Sequence, residues 1–484
     1  MPAPFQLVFL GALAALVFVA LVAPGRGCRG WGVPALFALL FTALLFHQAG
    51  WQLSGFGSLG FQKFQRRYDT RPLTLTRTSN ARGRLLDRRG DLLSAALPGK
   101  RWGHEAPLGE AALHVVGYSA RTFGLSGLLR VFDARLCGLP PTDEPRQLFH
   151  RATPEDIHLT LDRALQVMAY QALAGRRGAI VILDPRTGEI LALASSPSAD
   201  EQALGEAMQN RTDAPLLNRA TQGLYPPGSV FKIFTAALAL EAGKAGRYRC
   251  PKKGWAPAPN TAPIRDTHPH SAEQDLLDAV TAFAESSNIW FARAAQACTW
   301  PRFRAAAERC GLTESLVLAT CGERTFATRP GHLPDLSAAP NRVAYLGFGQ
   351  GDLRVTPLHI AALTASIANR GVLVPPHLER GVTITPRRLW SPDVTTAVKH
   401  MMRRSVTAGT SRAANLPTLA ICGKTGTAEN PGKDHAWFTC FAPAENPRVV
   451  ITVLIENGGF GAAAALPIAR ELLPEALLCI DATP

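Results

Sequence analysis

Two apolar runs open the chain and set its first expectation. Residues 5–23 are apolar except for Gln6, and a shorter run covers residues 31–46. The first run is long enough to span a bilayer as a helix, and the second reaches that length when it extends to Trp51. Arg26 and Arg29 lie in the short loop between the runs, and positive charge in a short loop is typical of the cytoplasmic side. No charged segment precedes residue 5, which disfavours a cleaved signal peptide. The pattern predicts two membrane helices in residues 1–52 and a large extracytoplasmic part.

The next hundred residues, 53–156, are mixed in pattern and rich in arginine. The stretch 82–90 predicts a short strand that ends in a glycine turn, with charged side chains around the turn. Residues 108–138 predict short helices around a glycine-rich loop. Thr153 and Pro154 then mark a boundary. We expect a small separate domain here.

From residue 157 onward the pattern is that of a packed domain. Residues 178–194 form two apolar runs joined by Asp184-Pro-Arg-Thr-Gly188, which predicts a β-hairpin. Helices are predicted for 160–173 with Thr160 as cap, for most of 228–310, for 357–369 with Thr356 as cap, and for 464–478. Strands are predicted at 419–423, 436–441 and 449–456. The order indicates one α+β domain over 157–484, a single antiparallel sheet flanked by helices.

The stretch that starts at Tyr225 carries the first candidate chemistry. Pro226, Pro227 and Gly228 do not fit inside a helix, whereas residues 231–242 are good helix formers. Ser229 is therefore expected in the first turn of a helix, with Lys232 on the same face one turn later. An amine beside a first-turn hydroxyl can take its proton and make it a nucleophile. Lysine suits this task, because arginine, which supplies most of the chain's positive charge, does not release its proton.

Two further motifs follow in order. Ser286-Ser-Asn288 comes after a helical pattern, and Lys424-Thr-Gly-Thr427 comes directly after the apolar residues 419–422. Thr425 and Thr427 offer hydroxyls and Lys424 offers a fixed positive charge. Gly426 has no side chain, so that a substrate backbone can lie against the strand edge. Each short motif is frequent by chance, but three in this order form a strong signal.

Charge and cysteine content narrow the compartment and the chemistry. The formal net charge is +14, which is typical of proteins that meet a polyanion such as nucleic acid or an anionic cell envelope. The two apolar runs favour the envelope, so no nucleic-acid partner is expected. Nine cysteines form no C-x-x-C pair, which disfavours a zinc ribbon or a redox motif. Cys298, Cys310 and Cys321 lie close enough in sequence to leave one disulfide open.

With these motifs the chain resembles the class B penicillin-binding proteins, whose fingerprint is S-x-x-K, S-x-N and K-T-G. Residues 82–90, 184–192, 347–358 and 435–443 are similar to further stretches of that class. The resemblance implies a transpeptidase/β-lactamase-like fold with an inserted helical subdomain, a pedestal domain in 53–156 and a transpeptidase domain in 157–484. The implied activity is peptidoglycan D,D-transpeptidation at D-Ala-D-Ala stem peptides, with acylation by β-lactams and no cofactor.

The resemblance also implies a role for each motif residue. Ser229 would be the nucleophile, Lys232 its general base, and Ser286 the proton relay to the leaving amine. Asn288 would orient Lys232 and bind the donor amide. The terminal carboxylate of the substrate would be bound by Lys424, Thr425 and Thr427, on the strand that Gly426 keeps open.

Several alternatives stay open at this stage. The same fold and acylation serve membrane-bound β-lactam sensors and β-lactamases, although a sensor needs a cytoplasmic effector and a β-lactamase needs a base for water. The resemblance implies an enzyme of the bacterial cytoplasmic membrane that pairs with a membrane glycan polymerase of the shape, elongation, division and sporulation family. Cys250, Asp266, His268 and His270 are residue types that bind zinc, but a polar loop near the cleft is the favoured explanation for them. We predict no metal site.

Overall fold

The computed structural model describes residues 82–97, 102–138, 153–267 and 275–481. The membrane helices expected in residues 1–52 lie outside these ranges. Within them, no helix combines the length and the apolar character that a bilayer crossing requires.

The described residues contain many short strands and five strands of six or more residues, which lie within 178–196 and 422–455. The strands are β1 Leu85–Leu86, β2 Leu92–Ala96, β3 His104–Glu105, β4 Ser119–Ala120, β5 Gly124–Leu125, β6 Ile157–His158, β7 Gly178–Leu183, β8 Ile190–Ser196, β9 Tyr248–Arg249, β10 Leu276–Leu277, β11 Val317–Cys321, β12 Arg324–Ala327, β13 Val372–Leu373, β14 Arg387–Arg388, β15 Cys422–Ala428, β16 His435–Ala442 and β17 Val449–Ile455. The α-helices are α1 Leu113–Val116, α2 Gly127–Val131, α3 Asp133–Leu136, α4 Arg163–Leu173, α5 Leu204–Gln209, α6 Lys232–Glu241, α7 Ala279–Glu285, α8 Asn288–Cys298, α9 Trp300–Arg309, α10 Val343–Leu346, α11 Pro357–Ala368, α12 Pro392–Ala408, α13 Gly461–Ala464 and α14 Leu466–Asp481.

A five-stranded antiparallel sheet forms the centre of the fold, in the order β15-β16-β17-β7-β8. Its strands are buried on both faces, because successive residues of β7 enter two different hydrophobic cores. Ile180 and Ile182 pack into a core with α4 and α14, while Val181 and Leu183 pack into a core with α6, α8 and α11. The α+β prediction of a sheet flanked by helices is confirmed. The helices α5 to α12 are all inserted between β8 and β15.

The predicted hairpin at 178–194 is β7 and β8, and the predicted glycine turn follows β1. In that turn the Asp87 carboxylate accepts the backbone N–H groups of Arg89 and Asp91, at 2.7 and 2.8 Å. Gly90 completes the turn with a φ of +92°, which side chains disfavour. The small N-terminal sheet has the order β3-β2-β1-β6, and β1 pairs with β6 in parallel. That pair joins the two sides of the domain boundary expected at residue 157.

Two local predictions were wrong, and one helix was not predicted. Helix α4 is capped by Asp162, whose carboxylate accepts the N–H of Leu165 at 3.1 Å. The Thr160 hydroxyl instead donates to the carbonyl oxygens of Ile190 and His377. The strand expected at 419–423 is β15, Cys422–Ala428, so the third motif lies inside the strand. Helix α12, seventeen residues long, was not predicted.

The cysteines that left a disulfide open do not form one. Cys298, Cys310 and Cys321 are free thiols buried in the core. Burial raises the pKa of Cys310 to about 12.

Candidate active site

The first motif lies on a tight turn, as its sequence predicts. Ser229 is half-buried in a 3-10 turn, Gly228–Phe231, which continues into α6 at Lys232. Gly228 adopts a φ of +55°, a left-handed conformation that favours glycine. We refer to residues 225–232 as the first-motif segment.

Glycines allow this segment to touch two other parts of the chain. A Cβ on Gly228 would lie 2.5 Å from the carbonyl oxygen of Thr427, and a Cβ on Gly349 would lie 2.0 Å from the carbonyl oxygen of Gly228. The Gly228 N–H also donates to the Gly349 carbonyl at 2.9 Å. Ser229 is therefore held next to Thr427, on the edge strand β15 of the sheet.

The structure gives a reason for the missing side chain at Gly426 that the sequence did not show. A Cβ at this position would lie 3.0 Å from Val230 Cγ1 and 3.1 Å from the Val230 nitrogen. The space beside Gly426 is thus occupied by the first-motif segment itself. The missing side chain lets the serine turn approach the strand, and the interpretation that a substrate backbone lies against this strand edge stays a prediction.

Two lysines and one serine form the polar centre of the site. The Lys232 ammonium donates to the Ser286 carbonyl oxygen at 2.7 Å, to Ser286 Oγ at 3.0 Å and to Asn288 Oδ1 at 2.8 Å. The Lys424 ammonium donates to the same Ser286 Oγ at 2.9 Å and to the Thr425 carbonyl oxygen at 3.1 Å. The structure thus brings the three motifs together around one hydroxyl.

Burial makes both lysines easier to deprotonate. Each side chain is fully buried, and charged amines lose hydration there. Burial, followed by the positive charge of Lys424, lowers the pKa of Lys232 well below its ordinary value, and Asp266 partly opposes the shift. Burial lowers the pKa of Lys424 to about 7. The ammonium groups also face aromatic rings, Lys232 that of Phe291 and Lys424 that of Phe283.

Ser286 stands at the junction of α7 and α8. Its φ is +61°, a left-handed conformation that is uncommon for a residue with a side chain and that turns the chain between the helices. Ser287 then caps α8 by accepting the Trp290 N–H at 3.1 Å. Asp266 accepts the Ser287 hydroxyl at 2.8 Å and the Ile289 N–H at 2.9 Å. This carboxylate therefore fixes the start of the helix that carries Asn288.

Sequence reasoning missed Thr410, which follows the unpredicted helix α12. Its Oγ1 lies 3.2 Å from Thr425 Oγ1 and 3.5 Å from Lys424 Nζ. Its N–H donates to the carbonyl of Ala284 in α7, at 3.0 Å. Thr410 thus connects the helix before the second motif with the strand of the third. The available signal was Gly409-Thr-Ser411 at a helix end.

Two of the four residues of the zinc alternative, Cys250 and Asp266, lie within the described residues. Cys250 is buried and lies 3.7 Å, Sγ to Oγ, from Ser287, which also contacts Asp266. His268 and His270 lie outside the described residues. In the described part, the contacts of Cys250 and Asp266 support the second motif.

Comparison with known proteins agrees with this geometry. Residues 178–474, more than half of the chain, match the family model "Penicillin binding protein transpeptidase domain". The peptidoglycan D,D-transpeptidase PbpA of Mycolicibacterium smegmatis is 30% identical over 417 residues, which cover 77% of this chain and 83% of the relative. The peptidoglycan D,D-transpeptidase MrdA of Haemophilus influenzae is 32% identical over 368 residues, covering 66% of this chain and 56% of that protein.

Solved structures agree as well. Penicillin-binding protein A of M. tuberculosis, in a ceftriaxone acyl-enzyme complex, superimposes with a TM-score of 0.73 at 28% identity, covering 83% of this chain and 99% of the other. A D,D-transpeptidase domain from Eggerthella lenta gives a TM-score of 0.72 at 29% identity, covering 84% and 100%. The chain therefore belongs to the penicillin-binding protein transpeptidase family, and within it to the class B penicillin-binding proteins.

Proposed function

We propose that this protein is a peptidoglycan D,D-transpeptidase that cross-links stem peptides through a serine acyl-enzyme and is acylated by β-lactams. The observation that carries the proposal is the hydroxyl of Ser286 between two buried lysines, next to the turn of Ser229. The activity printed for the relatives supports the substrate, and the acyl-enzyme complex of penicillin-binding protein A supports the reaction with β-lactams.

Acylation begins with the attack of Ser229 Oγ on the carbonyl carbon of the penultimate D-Ala. The hydroxyl proton passes to Lys232, which is neutral at the moment of attack because burial and Lys424 lower its pKa. The backbone N–H groups of Ser229 and Thr427 stabilise the oxyanion of the tetrahedral intermediate. When the C–N bond breaks, Ser286 gives its proton to the leaving D-Ala amine and regains one from Lys232.

The second half reverses these proton transfers. The amine of an acceptor stem attacks the acyl-enzyme carbonyl, its proton leaves through Ser286 and Lys232, and Ser229 departs with a proton restored. One amide bond is exchanged for another and D-Ala is released. A β-lactam follows the first half, but its ring-opened amine stays attached to the acyl group.

Substrate binding falls to the third motif. The terminal carboxylate of the donor stem binds to Lys424, Thr425 and Thr427, and Asn288 binds the donor amide. Burial lowers the pKa of Lys424 to about 7. The negative charge of the bound carboxylate raises this pKa again, so Lys424 becomes charged when the substrate binds. Thr410 completes this subsite through its contact with Thr425.

The placement of the protein in the cell is part of the proposal. The apolar runs in residues 1–52 anchor it in the cytoplasmic membrane, the arginine-rich residues 53–156 form a pedestal, and the transpeptidase domain lies outside the cytoplasm. A membrane glycan polymerase supplies the strands to be cross-linked.

The test is the intact mass of the full-length protein after exposure to benzylpenicillin, beside Ser229→Ala, followed over hours. We expect an adduct of one drug mass that persists in the native protein and is absent from the variant. An adduct that clears within seconds while drug is consumed would indicate a β-lactamase. Absence of any adduct would overturn the assignment of Ser229.

A further inference from the structure

A second buried polar cluster contacts the start of the first-motif segment. Glu456 directly follows β17, and one of its carboxylate oxygens accepts the Tyr225 hydroxyl at 2.7 Å and Arg219 Nε at 2.8 Å. The other oxygen accepts Arg177 Nε at 2.8 Å. None of the three motifs includes these residues.

The carboxylate of Glu456 is buried and stays ionised. The Glu456 side chain is 7% exposed and that of Arg219 is 1% exposed. Burial alone would raise the pKa of Glu456, but the hydrogen bond from Tyr225 and the charges of Arg219 and Arg177 outweigh it, and the pKa is lowered. The carboxylate is therefore ionised at neutral pH and cannot be protonated without losing several charge-assisted bonds.

Arg219 ties the cluster to the rest of the fold. Its guanidinium donates to the carbonyl oxygens of Ala214 and Asp213, at 3.2 and 2.5 Å, and its backbone N–H donates to Ser195 Oγ at 2.9 Å. Ser195 belongs to β8, so the carboxylate is fixed to the central sheet from two sides. Glu456 is thus a rigid acceptor.

Tyr225 is correspondingly immobile. Its ring meets the edge of His435 at 5.5 Å between centroids, and a Cβ on Gly223 would lie 2.4 Å from that ring. Its backbone exchanges two hydrogen bonds with Val355, at 3.0 and 2.9 Å. The carbonyl of the next residue, Pro226, accepts the indole N–H of Trp437 at 3.1 Å.

We propose that Glu456 is a positioning residue: it fixes the Tyr225 hydroxyl and thereby the location of Ser229, four residues along the chain. The connection is stiff because two prolines and a tightly packed glycine separate Tyr225 from the serine, so a displacement of Tyr225 has few torsions to absorb it. A displacement of about 1 Å at a nucleophile costs on the order of a hundredfold in rate. The inference rests on the proposed role of Ser229 as nucleophile.

The decisive variant is Tyr225→Phe, which removes one hydroxyl and keeps the packed ring. Tyr170→Phe is the matched control. Tyr170 lies on α4, far in sequence from the motifs, and its hydroxyl also donates to a carboxylate, that of Glu110, at 2.9 Å. The full-length protein is acylated with benzylpenicillin over a range of concentrations. The maximal acylation rate constant, the half-saturating concentration and the unfolding midpoint are measured for each protein.

We expect Tyr225→Phe to lower the maximal rate constant about tenfold or more, with a half-saturating concentration within about twofold of the native value. Tyr170→Phe keeps both within about twofold. A Tyr225→Phe rate constant equal to that of Tyr170→Phe, with only the unfolding midpoint reduced, would overturn the inference.

Glu456→Gln extends the test to the carboxylate. Combined with Tyr225→Phe it should slow acylation little more than Glu456→Gln alone, because both changes break one contact. Fully multiplicative effects would contradict the inference, and if Glu456→Gln does not fold, the Tyr225→Phe result decides. Failure of the proposed function is recognisable separately, since native protein would then form no adduct on Ser229.

Discussion

Two clusters of charged side chains contact the first-motif segment, and they differ in whether the charged groups are paired with opposite charges. Around Ser286, the hydrogen bonds seen for the ammonium groups of Lys232 and Lys424 within the described residues go to neutral oxygens of serine, asparagine and threonine. Around Glu456, a carboxylate is matched by two guanidinium groups. The first cluster contains two lysines whose pKa is lowered, and the second contains a carboxylate, Glu456, whose pKa is lowered so that it stays ionised.

The difference fits the role that we propose for each cluster. A proton carrier has to change its charge during the reaction, so a counter-ion in direct contact would hold it protonated. A positioning group has to stay the same throughout, and a carboxylate between two arginines does so. The residue types agree with these roles, because a buried lysine can release its proton whereas an arginine stays charged.

The largest effect is expected from Lys232→Arg, which keeps the positive charge but removes the ability to release a proton. The acylation rate by benzylpenicillin should fall by about 10²- to 10⁴-fold, the usual contribution of a general base. Stopped-flow or mass measurement of the adduct provides the rate. Lys399→Arg is the control, because Lys399 belongs to none of the motifs and its amine pairs with Glu445 at 3.2 Å. A Lys232→Arg protein that is folded and acylated at the native rate would remove Lys232 from the reaction.

Lys424→Met is expected to impair the enzyme while stabilising its fold. Burial lowers the pKa of Lys424 from 10.5 to about 7, so the folded protein gives up a proton that the unfolded chain keeps. The unfolded state therefore binds more protons between these values, and the free energy of unfolding rises with pH from about 7 to about 10.5.

The cost of burying this charge is fully present below pH 7. Lys424→Met should accordingly raise the free energy of unfolding by about 1–3 kcal/mol at pH 6, and the gain should disappear towards pH 10.5. Denaturant unfolding at several pH values measures it. A gain that is independent of pH would mean that packing, and not charge, determines the difference.

The smallest effect is expected from Thr410→Val, which removes one hydroxyl at the edge of the lysine cluster. Thr410 touches Thr425 and Lys424 but not Ser286, so we expect acylation to slow by about three- to tenfold, from a lost hydrogen bond of about 1 kcal/mol. The half-saturating concentration should carry the change, and Thr410→Ser should restore it. An unchanged half-saturating concentration would exclude Thr410 from the carboxylate subsite.

The parts of the fold that the sequence predicts are those with local signals. The hairpin of β7 and β8 depends on its own turn, and α11 depends on the Thr356 cap, which accepts the His359 N–H within the same helix. Helix α12 was missed although it has similar start signals, a Ser391 cap that accepts the Val394 N–H and Pro392 in the first turn, because its β-branched residues Val394, Thr395 and Val398 favour strands. Its packing against α7 and β15 overrides that preference.

The site shows the same limit. Ser229, Lys232 and Ser286 could be proposed from the sequence because their motifs are short and ordered along the chain. The reason for Gly426 was missed because its neighbour, Val230, is distant in sequence. The Thr160 cap failed likewise, since its hydroxyl is used by Ile190 and His377, contacts that exist only after folding.

The buried thiols give the protein a built-in reporter of its own opening. Burial raises the pKa of Cys310 and of Cys422 to about 12, so almost no thiolate exists at neutral pH. An alkylating reagent reaches these sulfurs only in molecules whose core has transiently separated. The rate of their modification therefore measures how often the core around the end of α9 and the start of β15 opens.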